Sequence, residues 1–217
     1  MILSEYLYSV GKGFTLGGSL CILSFYMDTT VSYKSYKKMK KYKRQLYIES
    51  LLMNQVNLLI VSPVMYGAVD TMLLTHTHEF QWFNIYAILV IHCISYYYAH
   101  YAMHKVRWLY KYHQFHHKFD NLVLPSVGNA VSVVEFCFAY TLPFIISAYI
   151  LKPNETSFLV PIGVIGLLNM VVHTPEFETV PWVKWLVSPR NHIQHHKKRN
   201  CHYASPTLNI DYILGEN

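Results

Sequence analysis

Charge is what this sequence has least of. Only 14% of its 217 residues are Asp, Glu, Lys or Arg, against about 25% in a soluble domain. Hydrophobic residues make up 53% of the chain, and they gather in long runs. A water-exposed surface over most of the chain is thereby excluded, and a membrane protein is indicated. Cysteine is also scarce. Cys21, Cys93, Cys137 and Cys201 form no CxxC pair, and three of them lie in apolar runs. A cysteine zinc site is excluded, and reduced packing thiols are expected. No phosphate loop is present: GKGFTLGG at residues 11–18 follows no strand and fits neither nucleotide-binding pattern. Its small residues suit close helix packing instead. The N-terminus lacks the order of a cleaved signal peptide, so the first apolar run is expected to be retained.

The runs that remain predict an all-α membrane protein with four to five transmembrane helices, formed by residues 1–217 as a single membrane-embedded domain. A span needs about 20 mostly apolar residues. Residues 13–27 are a short candidate. Residues 51–74 are long enough, with Pro63 expected to kink them. Residues 82–103 read as the clearest span, 129–150 as another carrying one charge at Glu135, and 157–173 as the last.

Sixteen of the eighteen basic residues fall in three segments that alternate with these spans. They lie within residues 30–47, 104–128 and 174–217, leaving only Lys12 and Lys152 for the other side. The positive-inside rule places the three segments in the cytoplasm. The net charge of +6 is then explained by topology and by anionic lipid, each basic residue contributing about 1 kcal/mol near the surface. No nucleic-acid partner is needed. The loops near 75–81 and 152–156 would face the lumen, where Asn154-Glu155-Thr156 is a glycosylation sequon held tightly against the membrane.

Histidine is the residue in excess, with thirteen copies. His100 and His104 are four apart at the end of the third span. HQFHH supplies His113, His116 and His117, and HIQHH repeats the spacing with His192, His195 and His196. His173 ends the last span. Residues at i, i+3 and i+4 share a helix face, and all nine fall at the predicted cytoplasmic edge, forming a histidine-rich helical cap. Stacked imidazoles do not improve packing and repel one another when protonated; a metal removes both problems. Nine are too many for one four-coordinate zinc and suit two metals. Imidazole alone leaves iron, copper and zinc open. His92, two turns before His100, is expected to make a buried polar contact. His76 and His78 lie in the opposite loop and are expected to face solvent. Glu135 is costly within a span and is expected to hydrogen-bond a ligand histidine.

The order HxxxH, HxxHH, HxxHH between apolar hairpins resembles the sterol desaturase/fatty acid hydroxylase superfamily. Tyr97, HYAMH, HQFHH, His173, Pro189 and HIQHH follow its pattern, and HYA at 202–204 with IDYILG at 210–215 resemble its closing elements. NQVNLLIVSP at 54–63 is similar to its second span, so the resemblance covers about residues 50–215. Departures stand at Tyr101, at Ser132-Val133 before Glu135, and at His202 and Ala204; they leave the histidine set intact. The HxxxH spacing is closer to the sterol-oxidising branch.

The resemblance implies two iron ions, with zinc able to replace them in purified protein. The implied ligands are His100, His104, His113, His116, His117, His173, His192, His195 and His196, with His202 and Glu135 as a further ligand or as support. It implies an oxidoreductase, of the sterol desaturase, C-4 methyl oxidase or lipid hydroxylase type, that uses O2 on a sterol or related lipid in lipid biosynthesis. It also implies the endoplasmic reticulum membrane. Electrons would come from a separate donor such as cytochrome b5 and its reductase. Two other readings remain at this stage: a homologue that binds lipid as a scaffold, and a metal transporter. The complete histidine set weighs against the first. The scarcity of carboxylates and the position of the histidines at the membrane edge weigh against the second.

Overall fold

The computed structural model describes residues 2–120, 122–204 and 206–216. Among them the fold is helical, with no strand and only two isolated bridges, Thr75–Asn154 and Leu186–Leu208. Long helices form where the apolar runs lie. They are α1 (Ile2–Thr29), α3 (Arg44–Met72), α4 (Trp82–Lys105), α6 (Val133–Leu151) and α7 (Glu155–Val172). Shorter helices lie between and after them: α2 (Tyr33–Tyr42), α5 (Arg107–His113), α8 (Pro189–Lys198) and α9 (Ile210–Ile213).

Three helices, α3, α6 and α7, are long and apolar enough to cross a membrane by length and composition. The run at 82–103 forms a continuous helix but is not among these three. Its histidines and many tyrosines lower its hydropathy, although its flanks face outward in an apolar band at Phe83, Val90 and Ile94. Bands of this kind recur along the long helices at Ile22, Ile60, Ile150 and Leu167. Contiguous exposed apolar surface on this scale suits contact with lipid chains and not water.

Pro63 lies within α3, near the middle of its apolar run. A π-helical turn at Asn57–Val61 directly precedes it, and a second at Phe136–Thr141 precedes Pro143 in α6. Each wider turn accommodates the amide that proline lacks. Gly17 of α1 meets the first π turn so closely that a Cβ there would lie 1.9 Å from the Leu58 carbonyl oxygen. Gly13, where a Cβ would lie 2.9 Å from the Pro63 Cα, and Gly17 therefore serve close backbone packing.

At the end of the bundle away from the histidines, Lys12 bridges Asp70, at 2.9 Å, and Glu155. Removing Lys12 would leave Asp70 the Ser9 hydroxyl and Glu155 the Tyr66 hydroxyl as partners, and because Lys12 and Glu155 are partly exposed the loss is smaller than for a buried pair. The sequon residue Asn154 caps α7. Its Oδ1 accepts from Ser157 N at 2.9 Å, its Nδ2 donates to the Glu79 carbonyl, and it is buried. Buried and hydrogen-bonded in this way, Asn154 is not accessible to a glycan. The opposite end is closed by a cluster of Met39, Tyr47, Phe119, Leu124, Val127 and Ile193, which packs α2, the start of α3 and the segment after α5 against α8.

Candidate metal centre

The histidines are brought to one end of this bundle by helices running toward it and by short segments crossing it. His100 and His104 stand one turn apart at the end of α4. His113 ends α5, and the 3-10 turn His116–Phe119 follows. His173 caps the end of α7. Ser188 starts α8 by accepting from Asn191 N at 3.1 Å, with Pro189 in the first turn, a favourable N-terminus that fixes His192, His195 and His196.

The nine imidazoles sort into two groups. One contains His100, His104, His113, His117 and His195; the other contains His116, His173, His192 and His196; within each, the donor atoms lie within 4.8 Å of one another. All but His104 are buried. The sorting cuts across the sequence motifs. HQFHH gives His113 and His117 to the first group and His116 to the second, while HIQHH gives His195 to the first and His192 and His196 to the second. A single shared face for i, i+3 and i+4, as expected from spacing, is thus not what forms: the i and i+4 rings act together and the i+3 ring turns to the neighbouring group. The groups adjoin, with the rings of His117 and His196 5.2 Å apart.

Tautomers follow from the outer nitrogens. His100 Nδ1 lies 2.9 Å from the Tyr203 carbonyl, His173 Nδ1 2.7 Å from the Asn169 carbonyl, and His195 Nδ1 2.7 Å from the Cys201 carbonyl. A carbonyl only accepts, so each Nδ1 carries the proton and each Nε2 of a neutral ring presents a lone pair. His113 Nδ1 lies 2.7 Å from Glu135 Oε1, which imposes the same tautomer. The inner Nε2 atoms of His100 and His113 then approach without a proton to share. His100 and His113 are 3.0 Å apart through Nε2, His113 and His117 2.9 Å, His104 and His117 3.1 Å. In the second group, His173 Nε2 is 2.9 Å from that of His192, 3.3 Å from His196 and 3.4 Å from His116. Converging lone pairs repel unless a cation lies among them. Metal–nitrogen bonds of about 2.1 Å predict separations of about 3.0 Å at right angles and about 3.4 Å in a tetrahedron. His195 Nε2 is buried with no hydrogen-bond partner, as a donor reserved for a metal would be. The donor set fits a metal ion in each group, and five imidazoles in the first exceed the closed four of a structural zinc.

The same enclosure keeps the rings neutral. Burial first, then the charge of neighbouring histidines, holds His113, His116, His192, His195 and His196 well below the ordinary value. Burial pushes His117 down to about 3. Neutral imidazole is the form that binds metal.

His202, at a positive φ of 57°, joins neither group. His92 is buried, with the Tyr140 backbone carbonyl beside its ring. His76 and His78 are exposed, as expected. Three supporting residues were not singled out from sequence. Asp211 accepts from Tyr203 N at 2.9 Å and Ala204 N at 2.8 Å, fixing the loop whose carbonyl orients His100; the closing IDYILG element was its only signal. Asn57 Nδ2 donates to the Asn129 and Val131 carbonyls, both at 2.9 Å, and its place in NQVNLLIVSP was a comparable hint. Asp28 accepts from Tyr47 and Ser126, with no motif to mark it.

The sequence profile of the fatty acid hydroxylase family matches residues 85–216, more than half of the chain and the whole histidine set. The chain belongs to this family, within the sterol desaturase/fatty acid hydroxylase superfamily. Membership implies a membrane-associated oxidoreductase acting on a lipid, in a family that is typically iron-dependent. The match begins within α4, so the NQVNLLIVSP similarity in α3 lies outside it. No curated protein and no solved structure matches the chain.

Proposed function

We propose that this family member is a di-iron lipid oxidase, hydroxylating or desaturating a sterol or related membrane lipid with O2. The observation that carries the reading is the pair of adjoining all-imidazole groups at one end of a lipid-facing bundle. The five-histidine group would hold one iron and the four-histidine group the other. When bound, the irons supply the activation of O2 with two electrons from the donor, one oxygen atom leaving as water in a hydroxylation and both in a desaturation.

The residues supply the rest. Nδ1 contacts to backbone carbonyls and to Glu135 fix ring orientation and strengthen the Nε2 donors. Burial keeps water from the centre. The basic asymmetry supports a cytoplasmic histidine cap, with α1 and α4 joining α3, α6 and α7 as spans of one membrane-embedded unit. A soluble electron donor such as cytochrome b5, with its reductase, then reaches the cap directly, and the endoplasmic reticulum is the membrane that offers both donor and sterol.

The test compares lipids from cells expressing wild type, His116→Ala, His195→Ala, the double variant and His76→Ala, with metal content measured on each protein. One member of each group is removed, so each single variant should abolish O2-dependent lipid oxidation. The double variant should be no worse, since residues acting as a unit are not additive. His76→Ala should match wild type. Retained oxidation and metal in both single variants refutes the reading.

A further inference from the structure

His92 stands apart from the nine. It lies in α4 eight residues before His100 and is 1% exposed. Phe144 and Tyr96 lie against its ring, with centroids at 4.6 and 6.0 Å. The Tyr140 backbone carbonyl faces it as an acceptor for one ring nitrogen, and the other nitrogen has no partner. A neutral imidazole has one donor and one acceptor, and leaving either unmade in an apolar interior is costly. Buried polar groups without partners call for an explanation.

The ring borders a cavity of about 100 Å³ between α1, α3, α4, α6 and α7, with mostly apolar walls. Both π turns contribute to those walls, through Leu58 and Tyr140, and such turns recur at functional sites. Several polar side chains on the wall are already engaged: Asn129 with Asn169, the Tyr140 hydroxyl with the Gly128 carbonyl, and the Thr141 hydroxyl with the Phe136 carbonyl. His92 keeps a ring nitrogen with no partner. Asn169 lies one turn before His173, so one end of the cavity approaches the four-histidine group. Along α4, His92 lies about 12 Å from His100, at about 1.5 Å per residue.

We propose that His92 binds the hydroxyl of a neutral lipid whose apolar body occupies this cavity, so that oxidation falls on a carbon remote from that hydroxyl. The inference rests on the function proposed above and narrows it to hydroxylated lipids oxidised far from their polar group. A phosphate head is excluded, because a charge at this depth with one imidazole for company is too costly. An apolar cavity of about 150 Å³ takes a benzene ring, so this smaller one takes a short run of methylenes or part of a ring system, and a longer lipid extends beyond it between the helices.

The probes are two tritiated lipids, cholesterol and hexadecanol, bound to the purified full-length protein in nanodiscs. Each is displaced by its unlabelled form and by the same molecule lacking the hydroxyl. At least one hydroxylated probe should displace at about tenfold lower concentration than its deoxy counterpart. Discrimination in the sterol pair alone assigns a sterol, and in the alcohol pair alone a long-chain alcohol. His92→Phe should reduce the difference to within about twofold, and His92→Gln, which keeps a donor and an acceptor, should restore most of it. Equal displacement in the wild type for both pairs, or no saturable binding of either probe, overturns the proposal whatever the variants do. His116→Ala should bind the probes like wild type while failing to oxidise lipid. Should it still oxidise lipid, the functional reading falls, and the hydroxyl discrimination is judged separately.

Discussion

Replacing Glu135 tests how the first histidine group is supported. Its Oε1 lies 2.7 Å from His113 Nδ1, and the two side chains are 1% and 0% exposed. Its other oxygen has no partner, so His113 is the contact that Glu135 serves. The carboxylate orients the ring and makes Nε2 a stronger donor. Removing such a partner typically costs 10–100-fold in metal affinity, about 1.4–2.7 kcal/mol. Glu135→Ala removes acceptor and charge and should lie near the upper end. Glu135→Gln keeps an acceptor for the Nδ1 proton and should lie near the lower end. The apoprotein should not lose comparable stability, because a buried carboxylate is itself expensive. The assay is metal retention per chain against a graded chelator, with thermal melting of the apoprotein beside it. Unchanged metal retention in Glu135→Ala would refute the argument. A loss of melting temperature with no change in metal retention would show that Glu135 supports the fold and not the centre.

Asp211→Ala should free the 202–204 loop and weaken the orientation of His100, lowering metal occupancy below two per chain while the helical content measured by circular dichroism stays unchanged. For topology, a cysteine at Lys38 or Lys198 should resist an impermeant thiol reagent from the lumenal side and one at His76 should react; the reverse pattern would invert the bundle. Acid should destabilise the apoprotein. His117, held at about 3, and its neighbours bind protons more weakly folded than unfolded, where the value is about 6.5. Their stabilisation is complete above about pH 6.5 and is lost as pH falls toward 3, by up to about 1.4 kcal/mol per pH unit for each such histidine. Melting temperatures at pH 7.5, 6 and 5 check this, and a flat profile contradicts it.

The sequence by itself determined the helical class, the approximate position of each long helix and the identity of all nine grouped histidines. These features are written in local chemistry: apolar runs need no distant partner to be read, and HxxHH is visible wherever it folds. Tertiary structure decided the partition of those histidines. Spacing places His113, His116 and His117 on one face, yet His116 joins a different group, and the unbroken helix α8 makes the same division between His195 and the pair His192 and His196, because two sets of rings from other elements flank each motif. The group that His116 joins is completed by His173 and by His192 of α8, 57 and 76 residues respectively from His116 along the chain. Tertiary structure also decided the tautomers, because the carbonyls of Asn169, Cys201 and Tyr203 that set them carry no side-chain signature. Asp211 and Asn57 escaped notice for the same reason: each acts on backbone groups of a loop, and a loop's path depends on everything packed beneath it. His92 is the sharpest case. Its place in the sequence suggested a buried polar contact, and only the packing of five helices around it shows that the ring also borders a cavity.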